Sequence, residues 1–427
     1  MGLLLYNLIF PLAFLFYLPK LIIKYRSRGG WKSTYGERFG RFNKRRRELE
    51  AFRGAIWIHA VSVGETVVAL SMIKGYLQCH PERKFVISTT TTTGQDVART
   101  QCPENCTVIF CPIDFPWMVR KVFNLLRPAA LVIFETELWP NMISIARRRH
   151  LPVVLVNGRL SDHSADGYTK LRAFFAPLLC KFDLILAQSE MDASRFLRVS
   201  PRANVQNGGN MKFDQHLPAL PEENLLNQYF PADPQRLVLV AASTHPDEER
   251  LITRCFKELK KALPSLKLVL IPRHAERGAD LANMLEQENC SFCRKSLNHL
   301  PQQDIDILLA DTTGEMLMLL KDADLVIMGK SFNGHDEGHN LIEPALLGKA
   351  IVTGPVLRNF RFVFQILNHA DALRTATDES LCEVLLPLLQ QPAVREALGK
   401  RAAEVIGGNR GAVQKAVNEI ETLINLR

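Results

Sequence analysis

Residues 55–65 read AIWIHAVSVGE. An apolar, β-branched-rich run closes at His59 and Ala60, a short turn holds Ser62 and Gly64, and helical patterning continues from Glu65 to Cys79. Strand, turn and helix in that order are the opening unit of an open α/β sheet. The same punctuation recurs in KFVIST at 84, CTVIFCP at 106, ALVIFE at 130, PVVLVNG at 152 and FDLILAQ at 182. Apolar runs without alternation, separated by helical stretches, indicate parallel strands buried on both faces. This first α/β domain is placed at residues 55–215.

The stretch from Asp214 to Arg236 carries four prolines and little periodicity, so a linker is placed at 216–235. Alternation then restarts with RLVLVAAS at 236, LKLVLIPR at 266, IDILLAD at 305, ADLVIMG at 323 and AIVTGP at 350. A second α/β domain is placed at 236–427; its final charged helical stretch runs from about 393 to 424, and a return of that helix to the first domain is left open. Two such domains are expected to face a cleft at the carboxyl ends of their strands, where open parallel sheets bind ligands.

The chain has 427 residues, 47% of them hydrophobic and 23% charged, which is ordinary globular material, and a formal charge of +9. Twelve Lys or Arg and three Glu fall between Lys20 and Arg53, so the basic excess is concentrated there. It lies beside the uncharged segment MGLLLYNLIFPLAFLFYLP, whose 19 residues reach about 28 Å as a helix, near the hydrocarbon thickness of a bilayer. A charge excess beside an apolar segment indicates a membrane surface and no nucleic acid. Residues 1–23 are read as a membrane anchor and 24–54 as a basic membrane-proximal segment. The bases follow the apolar run, which places the domains on the cytoplasmic side of the membrane. Pro11 and Pro19 interrupt the run, so both a spanning and a surface-lying helix fit. The nine cysteines, including the lone Cys290/Cys293 CxxC, are expected to be reduced, with no zinc site.

Two motifs end first-domain strands in carboxylates. In HAVSVGE, Ser62 and Glu65 form S-x-x-E, a capping box at a helix start. The same Glu65 at the mouth of a cleft could take a proton from an attacking hydroxyl. Spacing alone favours the cap. In FETELWP, Glu135 ends a strand, as a structural or a catalytic acid; Glu137 is expected to face the other way if the strand continues through both. In the second domain, IPRH puts Arg273 at a strand end, where a guanidinium can grip phosphate or carboxylate. The loops at 311–315 and 334–344 offer helix-start amides to an anion.

Taken in order, HAVSVGE, FETELWP, NGRLSDHS, GGNMKFD, ASTHPDEE, IPRH, DTTGEM and GHNLIEPALLGKAIVTGP resemble the 3-deoxy-D-manno-octulosonic acid (Kdo) transferases of lipopolysaccharide synthesis. The resemblance covers nearly the whole chain, including YGERFG at 35. It implies the GT-B arrangement of two Rossmann-like domains and transfer of Kdo from CMP-Kdo to the lipid A precursor, inverting, with no metal and no cofactor. It implies Glu65 as catalytic base and Glu135 as a second functional acid. It also implies CMP contacts from Pro272, Arg273, Thr313, Gly314, Glu315, Asn340, Leu341, Ile342 and Glu343, with Lys212, Ser243, Lys330 and His339 as further donor or acceptor contacts. The chain departs from the family pattern at Gly329-Lys330, where two glycines are usual, and in a longer loop before His339 that carries Asp336 and Glu337. Rival readings are a nucleotide-sugar epimerase or hydrolase, and a non-catalytic nucleotide-sugar sensor.

Overall fold

The computed structural model describes residues 2–27, 36–215, 217–231 and 233–427, with the side chains of 17–27 left aside. The chain forms two compact units, residues 1–215 with 409–427, and residues 216–408.

The first unit holds a seven-stranded parallel sheet: β1 (Ile56–His59), β2 (Phe85–Thr89), β3 (Cys106–Phe110), β4 (Ala130–Phe134), β5 (Val153–Gly158), β6 (Leu184–Ala187) and β7 (Val205–Asn207). Their order is β3-β2-β1-β4-β5-β6-β7. Alternation along β1 sends Ile56 and Ile58 to one face of the sheet and Trp57 to the other, and each face has its own apolar core. The order reverses direction between β1 and β4, so the loops after these two strands diverge at the sheet's switch point, the place where open sheets admit ligands. HAVSVGE and FETELWP are those two loops.

The second unit repeats the plan with β8 (Leu237–Thr244), β9 (Leu266–Pro272), β10 (Phe292–Arg294), β11 (Ile307–Leu309), β12 (Leu325–Met328), β13 (Ala350–Thr353) and β14 (Arg374–Thr375). Their order is β10-β11-β9-β8-β12-β13-β14, with the switch point between β8 and β12. The loops there begin at His245 and at Gly329.

Three expectations change. The final helical stretch is two helices, Pro392–Gly408 and Ala412–Asn425. Gly411, at φ 103°, breaks the run, and the second helix packs in the first unit on the helix Val63–Cys79. Asp214 accepts the amides of Gly411 and Val413, each at 2.6 Å, and Glu421 accepts from the Tyr76 hydroxyl and the Arg83 guanidinium. Cys255 and Cys382 form a disulfide, because the helices Glu248–Ala262 and Leu381–Gln390 that carry them pack together; Cys290 and Cys293 are free thiols.

The third change concerns the anchor. Among the described residues no helix is long and apolar enough to cross a membrane, so the spanning anchor is not borne out. The helix Gly2–Ser27 instead lies along the first unit: Tyr6 and Phe10 pack near Phe174 and Phe115, and Asn7 accepts a 2.7 Å hydrogen bond from Asn141. In the basic segment, residues 28–35, with Arg28, Lys32 and Tyr35, lie outside the described residues. Arg45 is structural, pairing with Glu37 at 2.7 Å and Glu48 at 2.6 Å and donating to the Val108 carbonyl.

Candidate functional site: acids at one switch point, cations at the other

In the first unit, the helix Val63–Cys79 starts with the complete capping box. The Glu65 carboxylate accepts from the Val61 amide at 2.8 Å, the Ser62 amide at 3.3 Å and the Ser62 hydroxyl at 2.7 Å. The capping alternative is therefore what this conformation displays. Those three bonds fix the carboxylate against the turn, with acceptor capacity left over.

The second motif departs from the alternation argument. β4 ends at Phe134, and Glu135 takes the left-handed φ of 54°, sparsely populated for a non-glycine residue. That break lets both following acids lie near Glu65. Burial, then the charge of Glu65, raises the Glu135 carboxyl, opposed by Lys212 and Arg159. Burial, then Glu65, pushes Glu137 up to about 7, although Trp139 Nε1 donates to it at 3.1 Å. Three carboxyls, Lys212 and Arg159 thus share one patch; Glu137, expected to face the other way, joins it, and Arg159 was not singled out from sequence. The E-x-E spacing was visible, but the turn that defeats its alternation was not.

His59 is fully buried at the end of β1, its Nδ1 3.0 Å from the Ser88 hydroxyl, and burial lowers its pKa to about 4. It is neutral near pH 7, and its ring meets that of Trp139 edge to face.

A pH dependence follows from Glu137. Its folded pKa lies above the ordinary 4.5, so its contribution to stability is complete below about pH 4.5 and is lost as pH rises through about 7. Glu137→Gln is expected to melt above the wild type at about pH 8 and to converge with it near pH 4.5. Parallel melting curves across that range would show that Glu137 is not held in this state.

In the second unit, Glu248 is buried and organises the switch point, accepting the amides of His245 and Lys330 at 2.7 Å and of Ser331 at 3.3 Å. Gly329 has no alternative, since a Cβ there would stand 2.6 Å from both Glu248 Oε1 and the Ser243 carbonyl. Ser243 and Lys330 both adopt left-handed φ, 56° and 59°. For a lysine that conformation costs about 1 kcal/mol.

Around this frame gather His245, His339, His274, His335, Lys330 and Arg273. The Nε2 atoms of His245 and His339 lie 2.9 Å apart, so one ring donates and the other accepts. Burial and the neighbouring charges lower these two pKa values to about 4 and about 3. Arg273 is exposed, and its amide bonds to the Thr244 carbonyl. Glu343, raised by burial, is opposed by its hydrogen bond with Asn340 and by the Arg273 charge. Leu341 and Ile342 are buried side chains, and the Ile342 amide is already taken by Asn340 Oδ1 at 3.1 Å. Neither side chain is available to a ligand. Thr313 and Gly314 are exposed, Pro272 is buried, and Glu315 is engaged by Lys295 at 2.9 Å and by Thr312. Among the described residues no three His, Cys, Asp or Glu are grouped so as to hold a metal ion. The imidazole cluster and Glu248 escaped the sequence reading, although ASTHPDEE places His245 and Glu248 three residues apart, the spacing of a side chain reaching back to an amide.

The two α/β units thus carry acids at one switch point and cations at the other. The profile of the 3-deoxy-D-manno-octulosonic-acid transferase (kdotransferase) family matches residues 33–215. The 3-deoxy-D-manno-octulosonic acid transferase of Haemophilus influenzae is 31% identical over 368 residues, 85% of this chain and 86% of the relative. That of Bordetella pertussis is 30% identical over 413 residues, 93% of each. A MurG structure from Acinetobacter baumannii shares the fold, with TM-score 0.51 and 14% identity over 87% of this chain and 99% of that one. The chain belongs to the 3-deoxy-D-manno-octulosonic acid transferase family.

Proposed function

We propose that the protein transfers Kdo from CMP-Kdo to the lipid A precursor (lipid IVA) by an inverting single displacement that uses no metal. The supporting observation is the convergence of Glu65, Glu135 and Glu137 at the switch point of the first unit, to which the acceptor is assigned. The acceptor hydroxyl displaces the Ser62 hydroxyl from Glu65 Oε1 and loses its proton there, while the Val61 amide keeps the carboxylate in place. The oxygen attacks the anomeric carbon of Kdo as its bond to the CMP phosphate breaks. Glu135 and Glu137 hold the acceptor, and Lys212 meets its anionic groups. The second unit takes the donor, with Arg273 and the loop amides of 313–315, Asn340, Leu341 and Glu343 facing the leaving phosphate, and Ser243 and His339 bordering it.

Incubating the full chain with CMP-Kdo and lipid IVA and weighing the lipid tests this. A gain of Kdo units is expected. Donor consumed without lipid gain would favour the epimerase or hydrolase reading, and no consumption the sensor.

The N-terminal helix fits a surface-lying mode on the inner membrane, with the two units on its cytoplasmic side. One stripe of it packs on the first unit, and the other exposes Leu4, Leu5, Leu8, Ile9, Leu12, Leu15 and Phe16, with Phe16 92% exposed. Apolar side chains on the face turned away from the protein suit burial in the headgroup and acyl boundary. Leu8→Glu with Leu12→Glu is expected to lower co-sedimentation with anionic vesicles at least about tenfold, as two buried leucines contribute about 3 kcal/mol or more. Unchanged sedimentation would remove this face from the membrane contact.

A further inference from the structure

The loop that leaves β12 closes on itself around a lysine. The Gly338 amide donates to the Lys330 carbonyl at 2.8 Å, and Lys330 Nζ lies 3.5 Å from Glu337 Oε1. The two acids of this loop are not equivalent. Asp336 is committed to Arg358, through a 2.5 Å ion pair and through the Arg358 amide, which donates to the Asp336 carbonyl at 2.8 Å. The Glu337 carboxylate accepts from its own amide and that of Asp336, and its pairing with cations is loose, 3.5 Å to Lys330 Nζ and 3.9 Å to His335 Nδ1.

Lys330 is itself held for a purpose its backbone does not favour. Its φ is 59°, its amide is pinned by Glu248, and its ammonium is partly buried next to the stacked His245 and His339 rings. Arg273 adds a second permanent cation to the surroundings of His339. Glu337 is therefore the weakly held counter-charge of a cationic pocket, and an anion carrying more charge would displace it.

We propose that Lys330 is a donor-binding and specificity-determining residue, and that Glu337 occupies it as a placeholder that an anionic oxygen group of the donor displaces. The inference rests on the function proposed above. The donor presents two such groups, the nucleotide phosphate and the sugar carboxylate. Where the sugar carboxylate is the displacing group, Glu337 makes the site select for charge, because a donor with a neutral sugar leaves the internal pair unbroken.

The test is calorimetric binding of CMP-Kdo and of CMP to the full chain, with transfer to lipid measured in parallel. Lys330→Gly suits the left-handed backbone and is expected to fold; donor Kd should rise about tenfold, the size of one charge-assisted hydrogen bond. Glu337→Gln should lower donor Kd about threefold, as expected for removal of one exposed ion pair that competes with the ligand. In the Lys330→Gly background the Glu337→Gln gain should vanish. Parallel changes for CMP assign the phosphate to Lys330, and changes for CMP-Kdo alone assign the carboxylate. A normal wild type with Glu337→Gln binding no tighter, or with its gain persisting without Lys330, overturns this inference alone. A wild type that transfers nothing overturns the proposed function and this inference together.

Discussion

Glu65→Gln is expected to lower the rate of sugar transfer by about 100- to 10,000-fold, the range for loss of a positioned general base, with little change in melting temperature. The substitution separates the two roles of this residue. A glutamine at the third helical position keeps one carbonyl oxygen that still reaches back to an amide, so one of the two bonds, from Val61 to Oε2 or from Ser62 to Oε1, survives and the cap is weakened without being removed. What is lost is the capacity to accept a proton. If capping were the whole role of Glu65, the glutamine enzyme would turn over near the wild-type rate, and Glu65→Ala would lose about 1 kcal/mol of stability. The decisive measurement is kcat for lipid mass gain in the glutamine variant, read beside its melting curve.

Gly354→Ala is expected to damage the second unit severely. A Cβ at this position would stand 1.8 Å from the Ser331 carbonyl oxygen, a backbone atom that cannot rotate away. Ser331 Oγ also accepts the Gly354 amide at 3.0 Å and donates to the Met328 carbonyl at 2.8 Å, so moving Ser331 unpicks the end of β12. Overpacking of this kind costs about 3 kcal/mol, and a drop in melting temperature on the order of 10 °C follows for a unit of this size. Because Ser331 adjoins Lys330, donor affinity should fall with it. A variant that melts and binds CMP-Kdo like the wild type would show that β12 and β13 are not locked together as described.

Much of the architecture was legible because parallel strands buried on both faces have to be short and apolar, and the runs at 84, 106, 130 and 152 met that requirement. The capping box was legible for a similar reason: Ser62 and Glu65 interact within one helical turn, so no distant part of the chain is needed. Whether the N-terminal helix spans or lies flat was not legible from the same kind of local information. Hydropathy along Gly2–Phe16 registers how apolar the helix is, and does not reveal that Phe115, Phe174 and Asn141, more than a hundred residues away, take one of its faces.

The sequence by itself determined the two α/β sheets, the helix-start position of Glu65, the strand-end positions of Glu135 and Arg273, and the family, since these depend on local pattern and ordered motifs. Only the tertiary structure decided that Glu137 joins the acid patch, that three histidines gather about His245 beside Lys330, and that Glu337 is the acid with the looser ion pair. Those facts depend on left-handed residues at the ends of β4 and β12 and on partners distant in sequence, and neither leaves a periodic signal in the chain.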